Sequence, residues 1–94
     1  MKTLTLNSRI SRREQLHSMD IDEATVIANR SGGNCYGVEL IGRRIWQLLD
    51  HDSTVAELCE LLLQEYAIDR ETCEREVLEF LNDSVREDLI QTVD

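Results

Sequence analysis

Residues 35–49 read CYGVELIGRRIWQLL, and their patterning changes period in the middle. Tyr36 and Val38 alternate with Cys35 and Gly37, as the two faces of a strand require. From Ile41 onward the apolar positions Ile41, Ile45, Leu48 and Leu49 recur at helical spacing. The stretch therefore predicts a short strand running almost directly into a helix over residues 40–49. Trp46 lies beside the apolar stripe and brings an indole N–H that needs a partner when buried. Gly42 costs about 1 kcal/mol inside a helix relative to Ala, which a close backbone contact at that position would explain.

Upstream, Ala24 to Asn29 is a β-favouring run containing Thr25, Val26 and Ile27. Residues 14–21 tolerate a strand with Leu16 inward, and residues 20–23 form a turn. Residues 31–34, Ser-Gly-Gly-Asn, are the clearest turn in the chain and join the second and third strands as a hairpin. Residues 1–11 are read as a flexible arm or a weak strand, with Leu4, Leu6 and Ile10 as its apolar positions.

Downstream, Thr54-x-x-Glu57 is a capping box opening a second helix. Val55, Leu58, Leu62 and Tyr66 form its inward stripe, with Cys59 and Leu61 at the edges. Asp69 caps a third helix over residues 70–86, and Ile68 and Cys73 occupy the positions of a hydrophobic staple. Residues 89–93 are a short last strand or a tail. Strands followed by helices indicate an α+β domain, a three-stranded antiparallel sheet followed by three helices.

Ninety-four residues make one modest core. Residues 1–51 carry a net charge of +1 and residues 52–94 a net charge of −10, which together make the overall −9. The acidic half repels phosphate backbones and anionic membranes, so neither nucleic acid nor a membrane is an expected partner. No apolar run is long enough to span a bilayer and no signal peptide is legible, which makes the cytoplasm the expected location. Cys35, Cys59 and Cys73 are odd in number and widely spaced, which suits neither a disulfide framework nor a zinc site. Cys59 and Cys73 fall on helix stripes and read as small buried apolar residues. No catalytic constellation, phosphate loop or cofactor motif is legible, so the chain is read as a non-enzyme without a cofactor.

On the third helix, Cys73, Val77, Phe80 and Ser84 form one line, assigned to the core. Leu78, Leu81 and Val85 form a second line on one flank, near Glu74, Arg75 and Asn82. That second line is either a wide stripe covered by the sheet or the first strand, or one wall of a groove whose other wall is the third strand. A meander leaves its third strand, residues 34–38, at an edge open to pairing with another chain.

The ordered set Tyr36-x-Val38, Gly42, Ile45-Trp46, Leu48-Leu49, Thr54-Val55, Glu57-Leu58, Tyr66, Val77, Phe80-Leu81 and Leu89-Ile90 resembles the PqqD-like family. These proteins are small recognition elements for ribosomally made, post-translationally modified peptides. The resemblance covers residues 12–91, leaving 92–94 as a tail. Ser84 departs from the family's apolar residue and Asp88 from a helix-ending Gly. It implies a winged-helix-like arrangement in which the leader of a precursor peptide adds as a strand to the third strand and docks on the third helix. Carried over, that nominates Asn34, Cys35, Tyr36, Gly37 and Val38 for backbone pairing. Leu78, Leu81 and Val85 would form the pocket, with Arg75 as partner for leader carboxylates. The enzyme served would be separate, such as a radical-SAM enzyme or a leader peptidase, and the product a lasso peptide, a quinone cofactor or another peptide. The alternatives are a general protein–protein adaptor and a winged-helix DNA-binding regulator. The second is disfavoured by a third helix with three Arg against five acids.

Overall fold

The computed structural model describes residues 3–14, 16–29 and 35–93. Its elements are β1 (Arg9–Arg12), β2 (Leu16–Ile21), β3 (Ala24–Asn29), β4 (Cys35–Glu39) and α1 (Leu40–Leu48). There follow β5 (Ser53–Thr54), α2 (Val55–Glu65), α3 (Arg70–Arg86) and β6 (Ile90–Thr92). The architecture is α+β. The expected turn at residues 31–34 lies outside the described residues, but the strands on either side of it pair antiparallel.

The expectation of one sheet is corrected to two. The first, in order β2-β3-β4, is the expected meander. The second, in order β5-β1-β6, joins three segments far apart in sequence. Its centre is Ile10, which pairs with Ser53 on one side and Thr92 on the other. Ile10, Ser53 and Ile90 are all buried. These strands have four, two and three residues. A period of two cannot be read from so few positions, and their pairing rests on tertiary contact.

The helices begin and end where local chemistry dictates. The Thr54 hydroxyl accepts from the Glu57 N–H at 3.1 Å, and the Glu57 carboxylate accepts from the Thr54 N–H at 3.3 Å. The Asp69 carboxylate accepts from the Thr72 N–H at 3.0 Å. That bond, with the Thr72 hydroxyl, holds the Asp69 carboxyl below its usual range. At the other end of α3, Asp88 adopts φ +58°. Its N–H donates to the Val85 carbonyl at 3.1 Å, and the Leu89 N–H donates to the Ser84 carbonyl at 2.9 Å. This pair is a Schellman motif, with Asp in the position that glycine favours. α2 ends at Glu65, and Tyr66 continues in extended backbone. Tyr66 therefore leaves the inward stripe and is 39% exposed, contrary to its expected place.

The core gathers Ile45, Leu58, Leu62, Val77 and Leu81 from the three helices and Leu49 from the end of α1, with Ile10 and Ile27 from the two sheets. Ser84 lies in it and satisfies its hydroxyl by donating to the Phe80 carbonyl at 2.8 Å. Trp46 is 4% exposed, and among the described residues its indole N–H has no acceptor. The Arg12 guanidinium stacks 4.3 Å above the indole and donates to the Trp46 carbonyl. Burial there lowers the Arg12 pKa. Among the described residues no helix is long and apolar enough to cross a membrane.

Candidate functional site: the β4 edge and the facing side of α3

β4 hydrogen-bonds to β3 along one side, and among the described residues no strand pairs with its other side. Its side chains alternate as the sequence requires. Tyr36 is half-buried and Val38 buried, while Cys35, Gly37 and Glu39 are exposed. A Cβ built on Gly37 would meet nothing within 4 Å, so the outer surface of the strand is open at its middle.

β4 passes into α1 without a loop, and one residue absorbs the change of direction. Leu40 takes φ +54°, a left-handed conformation that costs a non-glycine residue roughly 1–2 kcal/mol. The turn leaves its side chain 83% exposed. α1 is clamped to the sheet by a polar network. The Thr25 hydroxyl donates to Asp20 at 2.6 Å, and Arg43 reaches both Thr25 and Asp20. The Thr25 hydroxyl first, and Arg43 after it, pull the Asp20 carboxyl below its usual range.

Gly42 has the close contact its position in the helix suggested. A Cβ there would stand 2.9 Å from Cε1 of Phe80, so the absent side chain lets the ring rest on α1. Phe80 is thus half-buried beside the β4–α1 junction, packed against the core rather than sealed inside it. A concavity of about 280 Å³ lies there, bounded by Glu39 and Leu40 at the strand end, by Ile41 and Gly42 on α1, and by Glu76 and Phe80 on α3.

This geometry rearranges the expected pocket. Leu81 is 0% exposed, so the flanking line through Leu78, Leu81 and Val85 is corrected at Leu81, which belongs to the core with Val77. Leu78 and Val85 are half-buried. They share a flank with Asn82, whose carboxamide accepts from the Leu4 N–H at 3.2 Å. Leu4 is buried, and the Ala56 N–H donates to the Leu6 carbonyl at 2.9 Å. Leu4 of the N-terminal segment therefore sits beside Asn82, on the flank read either as a covered stripe or as a groove wall. Leu78 and Phe80, two residues apart, look to nearly opposite sides of the helix. The side of α3 turned toward the end of β4 is the side of Glu76 and Phe80. Arg75 is exposed on α3, and its charge acts on Asp69 at the helix start. Asn34 lies outside the described residues. Phe80 is the residue that sequence reasoning missed as a surface group. The signal that could have found it was Gly42, because a glycine inside a helix implies a bulky neighbour.

Cys59 is buried, and burial pushes its thiol up to about 12. Burial likewise raises the Cys73 thiol. Among the described residues no three His, Cys, Asp or Glu side chains converge on a metal position. What the arrangement offers is an unpaired strand edge beside an apolar concavity.

Solved structures share this architecture. TbiB1 in complex with the TbiA(beta) leader peptide matches with a TM-score of 0.81 and 27% identity, over 89% of this chain and 98% of that one. Lasso peptide synthetase B1 complexed with the leader peptide matches with a TM-score of 0.75 and 18% identity, over 87% of this chain and 96% of that one, a likeness of fold. No curated protein matches the chain. The family model for coenzyme PQQ synthesis protein D (PqqD) matches residues 24–90, from the first residue of β3 to the first of β6. With nearly three-quarters of its length inside that match, the chain belongs to the PqqD family.

Proposed function

We propose that this chain is a non-catalytic recognition element that holds the leader segment of a ribosomally made precursor peptide. The leader adds as a strand to the free side of β4 and sets its apolar side chains against α3. The chain then presents the rest of the precursor to a separate modifying enzyme or leader peptidase. The packing of the helices on the β2-β3-β4 meander is read as winged-helix-like, used here for a peptide rather than DNA. The observation that carries the reading is the position of β4, an edge strand bordered by an apolar concavity. Strand addition suits that geometry, because the backbone supplies the pairing and a neighbouring pocket supplies selectivity. The likeness to TbiB1, solved with a leader peptide, supports the same use. Holding the leader raises the effective concentration of the attached peptide at the partner enzyme, which accounts for function without catalysis.

The test is a titration with the leader of a precursor encoded beside this chain's gene, followed by proline replacements at residues 35–38. Only alternate residues of an edge strand direct their N–H outward. Proline at those positions is expected to keep the fold and to weaken leader binding by about 1 kcal/mol or more. Proline at the intervening positions breaks the ladder to β3 and lowers the melting temperature. Equal leader affinity in every folded variant would sink strand addition.

A further inference from the structure

Three concavities of the surface share walls. The first lies at the β2–β3 turn and includes Asp22, Glu23 and Glu39. The second, at the β4–α1 junction, shares Glu39 with the first. The third, on α3, shares Glu76 and Phe80 with the second and adds Glu79 and Asp83. Together they make one run that crosses the end of β4 and follows α3. Its middle, at the β4–α1 junction, is mainly apolar, with Leu40, Ile41 and Phe80, and Ile21 adds an apolar side chain at the β2–β3 end. Its charged lining is carboxylate: among the described residues no Lys, Arg or His lines any part of it.

Three nearby arginines are engaged elsewhere. Arg43 pairs with Asp20, Arg44 with Glu65 at 2.7 Å, and Arg70 with Glu60 at 2.7 Å. Those carboxylates are held below their usual range by their arginines or, for Asp20, first by Thr25. Among the described residues, Asp83 is paired with Arg86, whereas Asp22, Glu23, Glu39, Glu76 and Glu79 have no cationic partner. An acidic lining around an apolar middle is complementary to one kind of occupant and repels its opposite, since like charges set together across an interface are costly.

We infer that the leader taken by this groove is cationic, with lysine or arginine on both sides of the apolar side chain that packs on Phe80. The inference rests on the proposed leader recognition and names the chemistry of the segment recognised. It reverses the role expected for Arg75: the groove selects leader cations. Backbone pairing on β4 accepts any sequence, so the carboxylates and Phe80 carry the selectivity.

The experiment is a fluorescence-anisotropy titration of the labelled leader of the neighbouring precursor, at about 0.05 M and about 0.5 M salt. The proteins are the full chain, the double variant Glu76→Gln/Glu79→Gln, and Glu71→Gln, which neutralises an acid of α3 outside the groove. Affinity of the unmodified chain is expected to fall as salt rises. The double variant is expected to bind about three- to tenfold more weakly at low salt, with a flatter salt dependence and an unchanged melting temperature. Glu71→Gln should match the unmodified chain. A leader whose Lys and Arg are changed to Gln should lose a similar factor, and its combination with the double variant should lose little more. A leader that binds as tightly after its Lys and Arg are changed to Gln, or that binds the double variant as tightly as the unmodified chain, overturns the inference and leaves leader recognition standing. A leader that does not bind the unmodified chain overturns leader recognition and this inference with it.

Discussion

The two flanks of α3 have opposite fates. On the Leu78–Asn82–Val85 flank, Leu4 of the N-terminal segment bonds to Asn82, and Leu78 and Val85 pack half-buried against the core. The Glu76–Phe80–Asp83 flank lines open concavities beside the end of β4. Judged by hydrophobicity, the first flank is the better docking surface, and for that reason the fold has used it. The second holds one aromatic ring among carboxylates, which is a poor stripe for a core and is the surface we propose for a peptide. An apolar line on a helix therefore announces burial without saying by what. What remains open after folding is the residue that the core cannot fully enclose, here Phe80 propped on Gly42.

The sharpest way to break this comparison is to truncate three neighbours on α3. Leu81→Ala removes a fully buried side chain and should cost about 2–5 kcal/mol of folding stability, a large share of the stability of a small domain. Phe80→Ala should cost less stability than Leu81→Ala, because the ring is only partly buried, and should weaken leader binding by roughly tenfold or more if its open edge meets the ligand. Leu78→Ala should reverse the pattern, lowering the melting temperature while leaving leader affinity within about twofold, since its flank faces the N-terminal segment. If Leu78→Ala loses leader binding and Phe80→Ala does not, the open and closed flanks have been exchanged.

Gly42→Ala tests the prop. The new methyl group would stand 2.9 Å from the Phe80 ring, so the ring must turn away from α1. The helical preference for Ala, about 1 kcal/mol, is then set against crowding of about 1–3 kcal/mol. The expected net result is a small loss of stability together with a several-fold loss of leader affinity. A variant more stable than the parent with unchanged affinity would show that the ring moves freely and that the groove does not depend on its position.

The smallest effect is expected at the end of α3. Asp88 holds φ +58° in a motif that glycine fits better. Asp88→Gly should raise stability by about 0.5–1 kcal/mol, the relief of left-handed strain outweighing the added freedom of the unfolded chain. Leader affinity should not change, because the substitution leaves the rotation of both flanks in place. A loss of stability in thermal melts would mean that the Asp side chain itself supports the turn.

Much of the fold is legible from short-range chemistry. Thr54 and Asp69 mark the starts of α2 and α3 because capping is a contact between residues three apart. The alternation of Tyr36 and Val38 marks β4, and the helical stripe marks α1, because each period reflects which side of one element is buried. That β4 ends up at an edge follows from a three-strand meander and from nothing more distant. In the site, the edge strand was therefore readable, and so was the unusual Gly42.

What the sequence could not determine is how elements distant along the chain share surfaces. The β5-β1-β6 sheet joins residues 9–12 to residues 53–54 and 90–92 through strands too short to show a period. The rotation of α3 depended on which side the N-terminal segment took, and the sequence pattern left two lines of comparable hydrophobicity. Tertiary packing chose Leu81 for the core over Phe80, because an aromatic ring beside a glycine can be half-buried against α1 while Leu81 fills the interior completely. The same choice turned Glu76 toward the groove and, with Glu39 already at the end of β4, decided the charge of the surface that a peptide would meet.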